Sequence, residues 1–372
     1  MKSKLAVFAV ITAFLCIFLN SASRAVDTQE IGRVRDKGVL DSQDFQIIDN
    51  FVAEAVQEMV EMRDFTSISK LRTTILTYSS SNSESATAQY SDQFTKSANK
   101  YILSAFEQTS GLNAEERQFK AKLNLLMLVD GLEDVQLLDL AMSHLNDANA
   151  VIRYWAVHCV ANPGITAKLN SSETGKVKAR EIIKALSNGR EGFSPEALGL
   201  IVDFAANIDV RGGTDLLVKA ADVRISQYAD WSVENELLDI KILKLLSDKL
   251  REGDLGVGQR FAQLYSYALQ RYVKGSDVLS ENQKSQLVSI LVEIEMSSVS
   301  KLMDMPQSTI KKAIEQGEYT VLLREHDRLF GSETSAGELP SKFNFNYGGN
   351  SNEGERTAPV VLPEPPAKKK GE

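Results

Sequence analysis

Histidine, cysteine and tryptophan are scarce in this chain, and their scarcity narrows its chemistry before any motif is sought. Three histidines (His144, His158 and His326) and two cysteines (Cys16 and Cys159) are spread over 372 residues. Transition-metal centres draw on clustered His and Cys ligands, and no such spacing occurs. HExxH, paired CxxC, GxSxG and P-loop motifs are all missing. His158 stands next to Cys159, but neighbours one apart on a helix point about 100° away from each other and do not share a proton unaided. The glycine loop GDLGVG, Gly253 to Gly258, has the wrong spacing for a phosphate cradle, with neither a preceding strand nor a following Lys-Ser or Lys-Thr. Carboxylates are abundant but scattered over polar helix faces. The sequence therefore singles out no catalytic, cofactor-binding or metal-ligating residue.

Long hydrophobic runs are missing except at the start, where Leu5 to Leu19 follows Lys2 and Lys4 and ends in Ser23-Arg24-Ala25. That pattern describes a secretory signal peptide, residues 1–25, cleaved after Ala25, and puts the mature protein in the periplasm or outside the cell. The run is short for a membrane span, with an uncleaved anchor as the alternative. Cys16 follows Leu15, where a lipoprotein signal needs a small residue. Cleavage removes Lys2, Lys4 and Arg24 from 42 basic residues set against 50 acidic ones, leaving a net charge of about −11. A surface this acidic is not built to coat nucleic acid or anionic lipid. The expected partner is a protein or peptide met through a basic or polar contact, with no nucleic acid and no stable membrane insertion after cleavage. Cys159 is then the only mature cysteine, so no intramolecular disulfide forms. Its place beside Ile152 and Ala156 on an apolar face reads as a small core residue.

Alternating strand patterns are missing too, while apolar residues recur at helical spacing from Asp41 to Phe330. The class is all-α. Phe45, Ile48, Val52, Val56 and Met59 mark one helix, Phe65, Ile68, Leu71 and Ile75 a second, and Tyr90, Phe94, Tyr101, Ile102 and Ala105 a third. Ser194-Pro195 and Ser280 with Gln283 offer helix starts, the second for a helix reaching about Asp304. Ser232 reads as opening a helix striped by Leu237, Ile240, Leu243, Leu246 and Leu250. Phe261, Leu264, Tyr265, Ala268, Leu269 and Tyr272 mark the helix after it. Residues 26–40 are polar with Gly32 and Gly38 and read as a mobile leader; 41–330 read as the helical-repeat domain. Residues 331–372, poor in aliphatic periodicity and rich in Gly and Pro, read as a disordered tail. Within it VVLPEPPAKKK reads as solvated, with extended docking on a partner as the alternative.

The architecture is most legible in EDVQLLDLAMSHLNDANAVIRYWAVHCVA, Glu133 to Ala161. Leu138, Ala141, Met142 and Leu145 share one helix face, and Ile152, Trp155, Ala156, Cys159 and Val160 share another. A short break centred on Asn146 to Asn149 lets the two helices fold back as an αα-hairpin. Such a hairpin keeps a second apolar stripe that a neighbouring hairpin must cover, which is the logic of a solenoid. The run DANAVIRYWAV, Asp147 to Val157, resembles the HEAT-like (bilin-lyase-type) helical repeat. That family follows a turn Asp by an Arg six residues on and an Ala nine residues on; here these are Asp147, Arg153 and Ala156. The resemblance implies an α-α superhelix, a HEAT/armadillo-like solenoid of stacked helical hairpins, with Asp147 and Arg153 in polar contacts between adjacent repeats. An array of that kind supplies surface in quantity. The expected function is an exported, non-enzymatic scaffold binding a protein or peptide along that surface. The alternatives are an α/α-toroid enzyme acting on polysaccharide, whose cleft would need more aromatic residues than Trp155 and Trp231 begin to supply, and a purely structural module of an envelope assembly.

Overall fold

The computed structural model describes residues 26–189, 193–348 and 356–366. The signal-peptide reading concerns residues 1–25, which lie outside the described residues. The chain divides into two compact units, 1–128 and 129–372, with the boundary inside a helix.

The first unit contains α1 (Thr28–Arg35), α2 (Ser42–Glu61), α3 (Phe65–Thr77), α4 (Thr87–Thr109) and most of α5 (Glu115–Leu132). Aspartates write three of the starts: Asp27, Asp41 and Asp64 each accept first-turn backbone N–H groups that would otherwise be orphaned. At α2 the cap is reciprocal, because the Asp44 carboxylate reaches back to the Asp41 N–H. Helix α2 packs on α4, with α1 and α3 at its flanks. Ile48, Val52, Val56, Met59, Tyr90, Phe94 and Ile102 fill the core between them. The expectation of a mobile leader over 26–40 is corrected here. Residues 28–35 form a helix whose Ile31 and Val34 are fully buried, and Leu40 is buried after it. Two apolar side chains three apart make one buried edge even on eight residues, a signal too short to register as periodicity.

The second unit holds α6 (Leu138–Met142), α7 (Ala150–Ala161), α8 (Pro163–Asn170), α9 (Glu173–Ser187), α10 (Pro195–Asn207), α11 (Gly212–Ala229), α12 (Leu238–Arg251), α13 (Gly258–Lys274), α14 (Glu281–Ile294), α15 (Ser300–Met303), α16 (Thr309–Gln316), α17 (Tyr319–Phe330) and α18 (Glu338–Phe343). Near neighbours in sequence are neighbours in space: α6 packs on α7, α7 on α10, α10 on α11, α11 and α12 on α13, and α13 on α14. The class is all-α, with the helix-on-helix succession of an α-α superhelix. Among the described residues the strand content is one short hairpin, Gly331–Ser332 against Ser335–Ala336. Polar side chains set the helix starts again. Asn149, Ser172 and Ser194 accept first-turn N–H groups, and Asn162 both ends α7 and caps α8, where Pro163 takes the first position. Ser280 and Gln283 form the expected capping box.

Two expectations are corrected in this unit. Ser232 does not open a helix: Trp231 and Asn235 take left-handed backbone angles (φ 56° and 50°), so the chain loops until α12 begins at Leu238. The helix from Ser280 reaches Met303 with Asp304 as its cap, as expected. It passes through a π turn at Glu295–Val299, where the buried Glu295 carboxylate accepts the N–H groups of Ile310 (2.6 Å) and Lys311 (2.8 Å) and so caps α16 from a distant part of the chain. Burial raises the Glu295 pKa, the amides of Lys311 and Ile310 opposing it.

The second correction concerns the tail. Residues 331–348 and 356–366 are folded onto the unit, with Leu339, Tyr347 and Leu362 fully buried. The Tyr347 hydroxyl donates to the Phe330 carbonyl (2.9 Å), the Arg356 N–H to the Gly348 carbonyl, and the Thr357 hydroxyl to the Ser332 carbonyl (2.7 Å). Gly331, at φ 107°, is required where these segments meet: a Cβ there would stand 2.1 Å from the Thr357 carbonyl.

Candidate functional site

The hairpin residues singled out by sequence come together at one loop. Asp147 Oδ1 accepts the Asn149 N–H, and Arg153 Nη1 donates to the carbonyls of Asp147 (2.9 Å) and Ala148 (3.0 Å). These contacts lie within one hairpin. Ala156 is fully buried, as are Ile152 and Cys159. Burial pushes the Cys159 thiol far above its ordinary pKa. His158 turns away from that thiol and bonds Asp130 (Nδ1 to Oδ1, 2.9 Å), whose carboxylate also accepts from Asn162. The Asp130 bond raises the His158 pKa against an opposing contribution from burial. Among the described residues no group of three His, Cys, Asp or Glu side chains is placed to hold a metal ion.

Sequence reasoning missed a Ser-His-Asp constellation, because its members come from two helices far apart in the chain. Ser266 Oγ on α13 lies 2.7 Å from His326 Nε2 on α17, and His326 Nδ1 lies 3.0 Å from Asp327 Oδ1. The spacing is that of a charge-assisted triad. The surroundings are not those of a nucleophile. Ser266 is fully buried in the middle of a helix, where Gln270 Nε2 also donates to its oxygen (2.9 Å), and mid-helix amides are committed to intrahelical bonds. Among the described residues the Ser266 Oγ is closed off from solvent and so from a reacting carbonyl. Burial lowers the His326 pKa, with Asp327 acting in the other direction. As built, the network ties α13 to α17.

The most developed binding geometry is on the same face of that helix, where Gln270 touches both Ser266 and the segment. Every residue of α13 from Phe261 to Arg271 is buried, including the polar Gln263, Ser266 and Gln270. The first reason is packing against α11, α12, α14, α17 and α18. The second is residues 356–366, which lie extended with side chains of α13 hydrogen-bonded to their backbone. The Gln263 amide binds Val360 at both ends, accepting from its N–H (2.8 Å) and donating to its carbonyl (3.1 Å). One turn-pair along, Gln270 Oε1 accepts the Leu362 N–H (2.7 Å), and Lys274 Nζ donates to the Leu362 carbonyl (2.7 Å) and pairs with Glu364. Trp231 closes the far end, its indole N–H donating to the Pro363 carbonyl (3.0 Å).

Within the segment Pro359 and Leu362 are buried and Pro365 half-buried, while Val360, Val361, Pro363 and Glu364 are exposed. A buried position every third residue is the period of a polyproline II chain, whose backbone bonds only to its surroundings. A primary amide suits such a chain because it presents an N–H donor and a carbonyl acceptor side by side, as a neighbouring strand would.

The Trp231 end is held rigid by a buried ionic cluster. Arg224 grips Asp239 through Nε (2.6 Å) and Nη2 (3.1 Å), both side chains fully buried, and the Tyr228 hydroxyl adds a third bond to Asp239 (2.7 Å). Arg224 also donates to the carbonyls of Glu234 and Asn235, fixing the loop that presents Trp231. Burial works against the Arg224 cation, but Asp239 outweighs it and raises the Arg224 pKa. Beneath the indole lies Arg271, 5.2 Å from the Trp231 ring and 5.7 Å from that of Tyr228, with Glu236 at 3.4 Å. Its Nε and Nη1 have no hydrogen-bond partner among the described residues, so the ring faces are what they meet. The chain matches no protein-family model, no curated protein and no solved structure.

Proposed function

We propose that this protein is a non-enzymatic helical scaffold that acts after export by binding an extended segment of another protein along its second unit. The observation that supports this reading most is the grip on residues 356–366: three side chains of α13 and Trp231 bond to the backbone of a segment that lacks regular secondary structure of its own. Backbone-directed bonds give affinity for any extended chain, while the pocket that takes Leu362 gives selectivity. Kinship of Glu133–Ala161 with HEAT-like repeats belongs to the same proposal, since stacked hairpins are a common way to build such a face. The enzymatic alternative draws on Ser266, His326 and Asp327, and the burial of Ser266 weighs against it.

Crosslinking in cells followed by mass spectrometry tests the reading. A reproducible protein partner is expected, with crosslinks clustered on α13, its neighbours and the loop around Trp231. Binding through neutral amides and one lysine should weaken only modestly as salt shortens the Debye length from about 10 Å toward 3 Å. No partner, together with turnover of a glycan or peptide by the purified protein, would overturn it.

A further inference from the structure

Resting on that reading, we propose that the α13 groove recognises partner segments of one chemistry, an extended Pro-x-x-Leu-Pro-acid stretch, and that Pro359 to Glu364 is its resident occupant, displaced when a partner binds. Each element of the pattern is set by a contact. Pro359 and Leu362 are the buried positions, three apart, so a residue between them is read only through its backbone. That backbone reading falls on Val360, whose side chain is exposed while both its N–H and its carbonyl are held by Gln263. Leu362 is fully buried with its N–H on Gln270, so position and side chain are specified together.

Proline suits the next position because its carbonyl is what the Trp231 indole takes, and its own missing N–H leaves no donor unsatisfied beside that ring. The acid follows from Lys274, which pairs with Glu364 at 2.8 Å. Nothing in this set of contacts depends on the segment belonging to the same chain. The groove reads an amide ladder, an apolar pocket, an indole and one cation, and a segment supplied in trans presents identical groups. Occupancy in cis then acts as competition: a tethered ligand is present at an effective concentration in the millimolar range, and a partner must exceed it or meet a chain whose tail has been released.

The experiment uses the full chain with a protease site inserted between Gly348 and Arg356, cut after folding so that no part need fold alone. A fluorescent peptide of residues 356–366 is titrated by anisotropy into cut and uncut protein, beside peptides carrying Leu362→Ala and a scrambled order. The cut protein should take up the native peptide with micromolar affinity and the Leu362→Ala peptide at least ten-fold more weakly. The uncut protein should bind the native peptide at least ten-fold more weakly than the cut one. Equal binding by cut and uncut protein, equal binding of the scrambled peptide, or uptake only on dimerisation would overturn the inference. So would no uptake by cut protein that keeps its helical circular dichroism and has lost its tail on gel filtration. If the peptide fails while crosslinks to a partner protein map elsewhere on the second unit, this inference falls and the scaffold reading stands; if neither binds, both fall.

Discussion

Gln263 and Val360 are 97 positions apart in the chain, yet the glutamine amide meets both backbone groups of the valine, at 2.8 Å and 3.1 Å. The pairing imitates one rung of a β-ladder with a side chain in place of a strand. Two residues further along the two roles are divided, Gln270 accepting the Leu362 N–H and Lys274 donating to its carbonyl. Removing both amides should therefore release the segment without disturbing the helix. Each lost hydrogen bond is worth about 1 kcal/mol, so Gln263→Ala with Gln270→Ala should raise the rate of limited proteolysis within 356–366 by ten-fold or more. Leu362→Ala, which empties a fully buried site, should do the same at a cost of about 2 to 4 kcal/mol. A segment that stays equally protected in both variants would show that its docking rests elsewhere.

The Arg224–Asp239 pair offers a sharper energetic test. Asp239→Ala strands a buried cation and should destabilise the protein by about 3 to 5 kcal/mol in chemical denaturation. Arg224→Met with Asp239→Leu removes both charges and should cost less than Asp239→Ala alone. An additive double change would mean the two residues act independently.

Two histidines should pull stability in opposite directions with pH. His158 is held charged by Asp130, so its folded pKa lies above the unfolded value; its contribution is full below about pH 6.5 and disappears as pH rises through the folded pKa. His326 is held neutral by burial, so its folded pKa lies below the unfolded value; its contribution is full above about pH 6.5 and is lost as pH falls. Asp130→Asn should flatten the first dependence and His326→Gln the second, read as denaturation midpoints between pH 5 and 8.

Ser266 provides the check on enzymatic chemistry. A serine buried under Gln270 and bonded to His326 should not react with a fluorophosphonate probe, in the full chain or after release of the tail. Stoichiometric labelling that disappears with Ser266→Ala would make the network a catalytic one.

Much of the helical layout is legible in the sequence because it is local. Ser194-Pro195, Ser280 with Gln283 and the Asn162-Pro163 junction announce helix ends through contacts spanning a few residues. The groove is not legible, and the reason is sequence separation. Gln263, Ser266 and Gln270 have the spacing and polarity of a solvated helix face, and residues 356–366 together with His326 of α17 turn that face inward. Taken alone, those residues have the composition of a solvated tail. The loop at Trp231 was hidden for a different reason: Trp231 and Asn235 adopt left-handed angles that Gly would normally mark, held there by Arg224 and its buried partner.

The most direct test of the groove is hydrogen exchange at two amides. The N–H groups of Val360 and Leu362 donate to Gln263 and Gln270, and Leu362 is fully buried. In the intact native protein both should exchange at least a hundred-fold more slowly than in the free 356–366 peptide at the same pH and temperature, and Gln263→Ala should restore fast exchange at Val360. Exchange of both amides at the free-peptide rate would contradict the account, because a segment that is not held cannot report a groove that holds it.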